Sequence, residues 1–387
     1  MNLLDRPRRL RANPAMRELT AETSVEARHL ISSPTEALDV FEFEAVARAN
    51  LPPAHFGYIQ TGVEGGRTAR RNEEAYDEIQ LSPRRLVDVS RVDIGRELFG
   101  EHWDSPIVVA PCGSQRAFHP EGELATARAA KREGHLQVLS TVTTTAVEEV
   151  AEARGAPIWY QLYPTTDFSI TEHLLGRAEA AGCPAFVITV DATARGDRDP
   201  LERWKRLDDR DCLECHAVPY ERKPMFEGLD MRGKELYNPG MTWEWLRRLR
   251  DRTQMRLVLK GIVRADDAAR AVDEGIDAIV VSNHGGRAEE SGRATIDALP
   301  DVVDTVAGRI PVLVDGGIRR GNDILKAIAT GADAVLIGRA YLWGLAAFGQ
   351  PGVERVLSML KSELEMAVAL AGARNLDELD RSLLVRG

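Results

Sequence analysis

Cysteine, aromatic residues and long apolar runs are all scarce in this chain. Only four cysteines, Cys112, Cys183, Cys212 and Cys215, occur among 387 residues, too few for a disulfide framework and in keeping with a reducing compartment. Apolar runs such as Ile107–Pro111 and Ala185–Val190 last five to seven residues, against the ~20 needed to cross a bilayer, so no membrane span is expected. Positive charge is in deficit: 50 Lys and Arg against 60 Asp and Glu leave a net charge of −10. No basic block is interleaved with aromatics, which make up 6% of the chain, so the footprint of a nucleic-acid binder is missing. A basic cluster from Arg6 to Arg11 opens the chain, but no apolar stretch follows to make an export signal, and a cytoplasmic location is expected.

What is present is globular, with 44% hydrophobic and 28% charged residues, enough to bury a large core. The first hundred residues are polar, with a helix expected around Asp39–Asn50, a stop at Pro52 and Pro53, and a second helical stretch containing Arg67–Tyr76. They read as a polar arm over 1–40 and a helical appendage at the start of one domain over 41–387. From Pro106 onward, short β-branched runs alternate with amphipathic stretches. The runs are Pro106–Pro111, Gln137–Thr141, Pro157–Leu162, Ala185–Asp191, Arg256–Gly261, Ala278–Asn283, Pro311–Gly316 and Ala334–Arg339. Helical patterns such as Gly122–Arg132, Asp266–Glu274 and Gly321–Thr330 separate them. Continuous rather than alternating apolar strands imply a parallel sheet buried on both faces. Eight βα units with no nucleotide-type glycine turn after the first strand predict a (β/α)8 TIM barrel rather than a doubly wound sheet. One connection is anomalous: the loop after strand four covers about 192–255, long enough to be a lid or an interaction element.

In such barrels chemistry sits at the C-terminal ends of the strands, and here those ends are dense in reactive side chains. Strand three ends in Gln161-Leu162-Tyr163, strand four in Asp191, strand five in Lys260-Gly261 and strand six in Ser282-Asn283-His284-Gly285-Gly286-Arg287. Strand seven ends in Asp315-Gly316-Gly317-Ile318-Arg319-Arg320 and strand eight in Gly338-Arg339. Two Gly–Arg turns after strands seven and eight have the composition of a phosphate site, since glycine exposes backbone N–H groups and arginine forks match phosphate oxygens. The bland alternative is tight turns with solvated arginines. A lone histidine is commonly structural, but Asp191, Tyr163 and Lys260 end neighbouring strands and can orient His284 or polarise a substrate.

These residues carry a resemblance to the FMN-dependent L-2-hydroxy acid oxidases and dehydrogenases, the family of glycolate oxidase, lactate oxidase and monooxygenase, and mandelate dehydrogenase. It covers Phe41 to the C-terminus and rests on the strand-end motifs above together with Ala110-Pro111 and His119-Pro120-Glu121-Gly122-Glu123. The resemblance implies FMN across the barrel mouth. Its phosphate would be held by Asp315, Gly316, Gly317, Arg319, Gly338 and Arg339, and its ring contacted by Pro111, Cys112, Gly113, Ser140, Gln161, Thr189, Lys260 and Ser282. It further implies a carboxylate clamp of Arg198 and Arg287, hydrogen bonds from Tyr58 and Tyr163, and His284 as the base with Asp191 behind it. The substrate would be a 2-hydroxy acid, the electron acceptor oxygen or a quinone or redox protein, and the assembly a homo-oligomer, tetrameric in the family.

Three departures bear on the substrate. Val142 stands where the family often has Trp, Ala288-Glu289-Glu290 replaces the usual Gln-Leu-Asp after the arginine, and Arg195 adds a cation. Together they predict a 2-hydroxy acid larger or more polar than glycolate or lactate. Gly113 stands where alanine is common, which tilts the expectation toward a dehydrogenase, although the lactate monooxygenase also has glycine there. Cys112 reads as a small apolar wall residue in preference to a redox thiol. Cys212-Leu-Glu-Cys215-His216 has the form of a c-type haem attachment site; with no export signal, a structural pair is favoured over haem or a Cys/His metal cluster, and no metal site is expected. Two other functions stay open: an FMN barrel oxidase acting on an amine or peptide-derived compound, which the clamp at Arg287 disfavours, and a non-catalytic barrel that binds a partner through the long loop.

Overall fold

A computed structural model describes residues 30–194, 196–210 and 220–386. Eight strands close into a parallel barrel: β1 (Ile107–Val109), β2 (Leu136–Ser140), β3 (Trp159–Leu162), β4 (Ala185–Thr189), β5 (Arg256–Ile262), β6 (Ala278–Val281), β7 (Val312–Asp315) and β8 (Ala334–Ile337). Closure is made by β8 on β1, with Val335 beside Ile107 and Ile337 beside Val109. Along each strand one set of side chains, including Val108, Val138, Val187, Val280 and Leu336, fills the barrel interior. Their neighbours, including Ile107, Leu139, Ile188, Ile279 and Val335, join the outer core beneath the helices. Both faces are therefore dry, which is why the strands read as unbroken apolar runs.

The surrounding helices are α1 (Gly122–Arg132), α2 (Val147–Arg154), α3 (Phe168–Ala180), α4 (Trp243–Arg250), α5 (Ala265–Asp273), α6 (Thr295–Val306), α7 (Gly321–Thr330) and α8 (Arg339–Ala371). The last of these is broken at Phe348 and Gly349, where the backbone leaves helical angles. A hairpin of Arg96–Leu98 and Glu101–Trp103 plugs the N-terminal end of the barrel, with Phe99 stacked on Trp159 at 5.2 Å. Among the described residues no helix is long and apolar enough to cross a membrane.

Three helices precede the barrel: Val40–Asn50, Pro53–Gln60 and Arg67–Asp77. The first is capped by Asp39, whose side chain accepts from the backbone N–H groups of Phe41 and Glu42, and it packs mainly on α8. The proline pair ends this helix but does not open a loop. Pro53 is the first residue of the next helix, where its missing N–H costs nothing and its fixed φ is already helical. Ile31, Ala37 and Val40, inside the stretch read as an arm, are buried. The expected long loop likewise contains structure, since a helix at Asp199–Lys205 and the barrel helix α4 both fall within 192–255. Residues 1–29, Arg195 and the Cys212–Cys215–His216 motif lie outside the described residues.

Candidate active site

At the C-terminal end of the strands a cleft of about 900 Å³, open to solvent at its mouth, is lined from both sides of the barrel. Of the residues anticipated for cofactor or substrate, Tyr58, Pro111, Cys112, Gly113, Gln161, Tyr163, Thr189, Lys260, His284, Arg287, Asp315, Gly316, Gly317, Arg319, Gly338 and Arg339 all line it. Four do not. Ser282 stands behind the wall, its hydroxyl accepting from Lys260 Nζ at 2.8 Å and from the His284 N–H at 3.0 Å. Ser140 is buried and accepts from the Val142 N–H. Asp191 lies behind His284, and Arg198 is half-buried with Nη2 3.4 Å from the Tyr237 hydroxyl.

One end of the cleft is built for an anion. Arg319 and Arg339 converge there, and the Arg339 guanidinium donates to the backbone carbonyls of Ile59, Thr61 and Gly285. Burial, and then the neighbouring Arg287 and Arg319, push the Arg339 guanidinium down to about 9 while Glu73 opposes them, a cost that an anion bound in the cleft would offset. Arg319 reaches Glu73 at 2.6 Å while its Nε stays buried without a partner. The turn beneath is Gly316-Gly317, both at positive φ (99° and 81°). A Cβ on Gly317 would lie 1.9 Å from the carbonyl oxygen of Asn72, so only glycine lets this turn pack so closely against the helix that carries Asn72. Gly338 is the N-cap of α8, whose N-terminus favours negative charge.

Asp315 was expected with the phosphate group, but its carboxylate pairs with Lys260 at 3.0 Å. A carboxylate beside a phosphate would repel it, and the buried ammonium is the better partner. Burial opposes charge on Lys260, yet Asp315 and then Asp191 hold the ammonium and raise its pKa above the ordinary lysine value. The second oxygen of Asp315, Oδ1, is buried without a partner, an acceptor suited to a hydroxyl.

At the other end His284 Nδ1 is 3.0 Å from Asp191 Oδ1 and His284 Nε2 is 3.1 Å from the Tyr163 hydroxyl. Burial alone would raise Asp191, but His284 and Lys260 hold its carboxyl below the usual range. A carboxylate facing Nδ1 fixes the tautomer with its proton there, leaving Nε2 as the basic nitrogen. Tyr163 is pushed well above its ordinary value, by burial first and then by Tyr58 and Asp191; it stays a neutral O–H donor. Arg287 lies 4.8 Å from the Tyr58 ring centre and donates to the Tyr58 and Thr61 carbonyls at 2.6 and 2.8 Å. The backbone of His284 has φ of +60°, uncommon for a residue with a Cβ and frequent at functional sites.

One anticipated feature is corrected. Glu289 and Glu290 do not place carboxylates in the cleft: Glu290 accepts from the N–H groups of Arg67 and Thr68 at 2.5 and 2.9 Å, capping a helix N-terminus, and Glu289 closes its own turn on Ser291. A helix end with unsatisfied N–H groups is the stronger attractor for a carboxylate than an open rim. The sequence reading also missed Tyr237, held at Arg198 from far along the long loop, and Asn72, buried from the appendage.

A parallel barrel with an anion-binding rim, a buried lysine and an imidazole–carboxylate pair at one mouth defines an oxidoreductase of the flavin-barrel class. Comparison with known proteins makes this specific. Residues 47–386 match the family model described as FMN-dependent dehydrogenase, and the chain belongs to that family. It is 43% identical to L-lactate oxidase of Nostoc sp., over 92% of this chain and 99% of that one. Mandelate oxidase with (S)-2-phenylpropionate superposes with a TM-score of 0.80 at 38% identity, covering 90% of this chain and 98% of the other. A soluble variant of the membrane-associated (S)-mandelate dehydrogenase of Pseudomonas putida gives 0.83 at 33% identity, covering 90% and 99%. The chain is an FMN-dependent enzyme of 2-hydroxy acid oxidation.

Proposed function

We propose that this enzyme oxidises an L-2-hydroxy acid with a side chain larger than that of lactate to the 2-oxo acid. The observation that carries the reading is the pairing of His284 with Asp191 on the same cleft wall as Arg287, Tyr58 and Tyr163. FMN, when bound, supplies the two-electron acceptor for the α-carbon. Arg319, Arg339, Gly317 and Gly338 would hold its phosphate, Asp315 Oδ1 a hydroxyl of its chain, and Lys260 an electron-rich edge of its ring. Arg287, with Arg198 at the margin, fixes the substrate carboxylate by paired N–H donors. His284 Nε2 takes the hydroxyl proton, and Asp191 stabilises the imidazolium so formed. Tyr163 donates to the same region and aligns the hydroxyl.

Size selectivity rests on Val142, which lines the cleft and would lie 2.4 Å from a Cβ on Gly113. With Glu289 and Glu290 turned away, the added space is apolar, which supports a bulky apolar side chain over a polar one; solved relatives hold mandelate-type compounds. Steady-state rates on (S)-mandelate, L-lactate and glycolate test this. The expected order places (S)-mandelate first, and Val142→Trp should reduce kcat/KM for (S)-mandelate at least ~10-fold more than for L-lactate, because filling a pocket discriminates by size. Activity on glycolate and L-lactate alone would refute the size assignment. Gly113 supports a quinone or redox protein over oxygen as acceptor, and slow reoxidation in air is the expected result.

A further inference from the structure

Helix Arg67–Asp77 lies outside the eight βα units, yet its Asn72, 1% exposed, sits between the turn that carries His284 and the turn of Gly316 and Gly317. The amides of Asn72 and Asn283 form a reciprocal pair, each Nδ2 donating to the other's Oδ1 at 2.9 Å. Asn283 Oδ1 also accepts from the Gly286 N–H at 3.1 Å, and Asn283 Nδ2 also donates to the Arg293 carbonyl at 3.1 Å. Asn72 Oδ1 also accepts from the Thr295 N–H at 3.1 Å, while the Thr295 hydroxyl donates to the Asp315 carbonyl.

In the turn that the Asn283-to-Gly286 bond closes, three consecutive residues hold left-handed backbone: His284, Gly285 and Gly286 at φ of 60°, 66° and 73°. Such a run persists only where its surroundings over-determine it. Here the Gly286 N–H is shared between the Asn283 carbonyl at 3.0 Å and the Asn283 side-chain Oδ1 at 3.1 Å, Val63 N–H donates to the Gly286 carbonyl at 3.0 Å, and a Cβ on Gly286 would meet Ala69 N at 2.4 Å. The helix therefore presses on the turn and also orients the amide that closes it.

We propose that Asn72 is a positioning residue for His284, acting through Asn283 to hold the His284–Gly286 turn in its left-handed form and to index it against the Gly316–Gly317 turn. This deepens the proposed function and rests on its reading of His284 as the base. Asn72 touches no reacting atom; its effect is on where Nε2 stands relative to the Arg287 clamp. Misplacement of about 1 Å at a reacting group costs up to roughly 100-fold in rate.

The test uses the FMN-loaded enzyme, with rates normalised to bound flavin and L-lactate and (S)-mandelate as probes. Asn72→Ala, Asn283→Ala, the double variant and His284→Asn are compared. The expected result is a fall in kcat of at least ~10-fold in each asparagine variant, KM changed less than ~3-fold, and the double variant no slower than Asn283→Ala, because the two amides act as one unit. Asn283→Asp keeps the acceptor for the Gly286 N–H and should recover part of the loss. Should Asn72→Ala fail to fold, Asn72→Asp keeps the Thr295 acceptor but opposes the Asn283 oxygen, and should show the same kcat loss. An inert His284→Asn beside unchanged kcat in Asn72→Ala and Asn72→Asp, or losses that simply add in the double variant, overturns the positioning role alone. Full turnover by His284→Asn overturns the base assignment and this proposal together.

Discussion

His284 has two nitrogens with different neighbours, and the division of labour at the site follows from that. Asp191 occupies the Nδ1 side and a tyrosine hydroxyl marks the Nε2 side, so the acid–base nitrogen is the one facing the cleft. Replacing Asp191 by Asn keeps the shape but removes the charge that stabilises an imidazolium, and lets an amide N–H favour the wrong tautomer. Asp191→Asn should lower kcat by about 100- to 10,000-fold with FMN still bound; a loss below threefold in stopped or steady-state assays would contradict the role. Lys260 makes a second residue-scale prediction. Its side chain is 5% exposed and pairs with Asp315, so Lys260→Met leaves Asp315 buried without its partner. Loss of one member of a buried pair costs roughly 3–5 kcal/mol, which urea titration should register even in flavin-free protein.

Among the elements, the strands were the most legible, because a barrel strand dry on both faces leaves an unbroken apolar run: all eight fall where such runs predict them, with ends that differ by no more than two residues. Helix α4 was hidden inside the long loop. Its Trp- and Arg-rich sequence, Trp243 to Arg250, buries only Leu246 and Leu249, too narrow an apolar stripe to announce a helix. The appendage helix Pro53–Gln60 was masked because two prolines read as a stop when one of them is a start. The site was legible wherever function clusters at strand ends, as at Lys260, His284 and Arg319. Tyr237 and Asn72 escaped because their roles depend on long-range docking that no local spacing encodes. Glu290 was misread for the same reason, its partner being a helix end more than two hundred residues earlier. The glycine turns offer an element-scale test. Gly317→Ala meets the Asn72 carbonyl, whereas Gly182→Ala, at φ of 79°, meets nothing within 4 Å. Both incur left-handed strain of about 1 kcal/mol, but only Gly317→Ala should also lose FMN on gel filtration. Equal melting temperatures and equal flavin content would contradict the account of that turn.

At the scale of the whole molecule, the plugged end of the barrel makes stability depend on pH. At the plugged end His135 is fully buried beside Ser105, its Nδ1 3.0 Å from the serine hydroxyl. Burial, with Lys361 and Arg154 also opposing a positive charge and Asp104 favouring it, lowers its pKa to about 3. The unfolded chain takes up a proton near pH 6.5 and the native state does not, so stability is lost as pH falls from about 6.5 toward 3, by roughly 1.4 kcal/mol per pH unit. His135→Leu should flatten this limb while adding a pH-independent cost at Ser105. Urea titrations from pH 7 to pH 4 should give a smaller slope for the variant, and parallel slopes would contradict the assignment.

The active end is tested most directly by mixing the FMN-loaded enzyme without oxygen with (S)-mandelate and L-lactate while following flavin absorbance. The account predicts rapid bleaching in the wild-type chain, and bleaching at least ~100-fold slower in His284→Asn at equal flavin content. No bleaching with any 2-hydroxy acid, or equal rates in the two proteins, would contradict it.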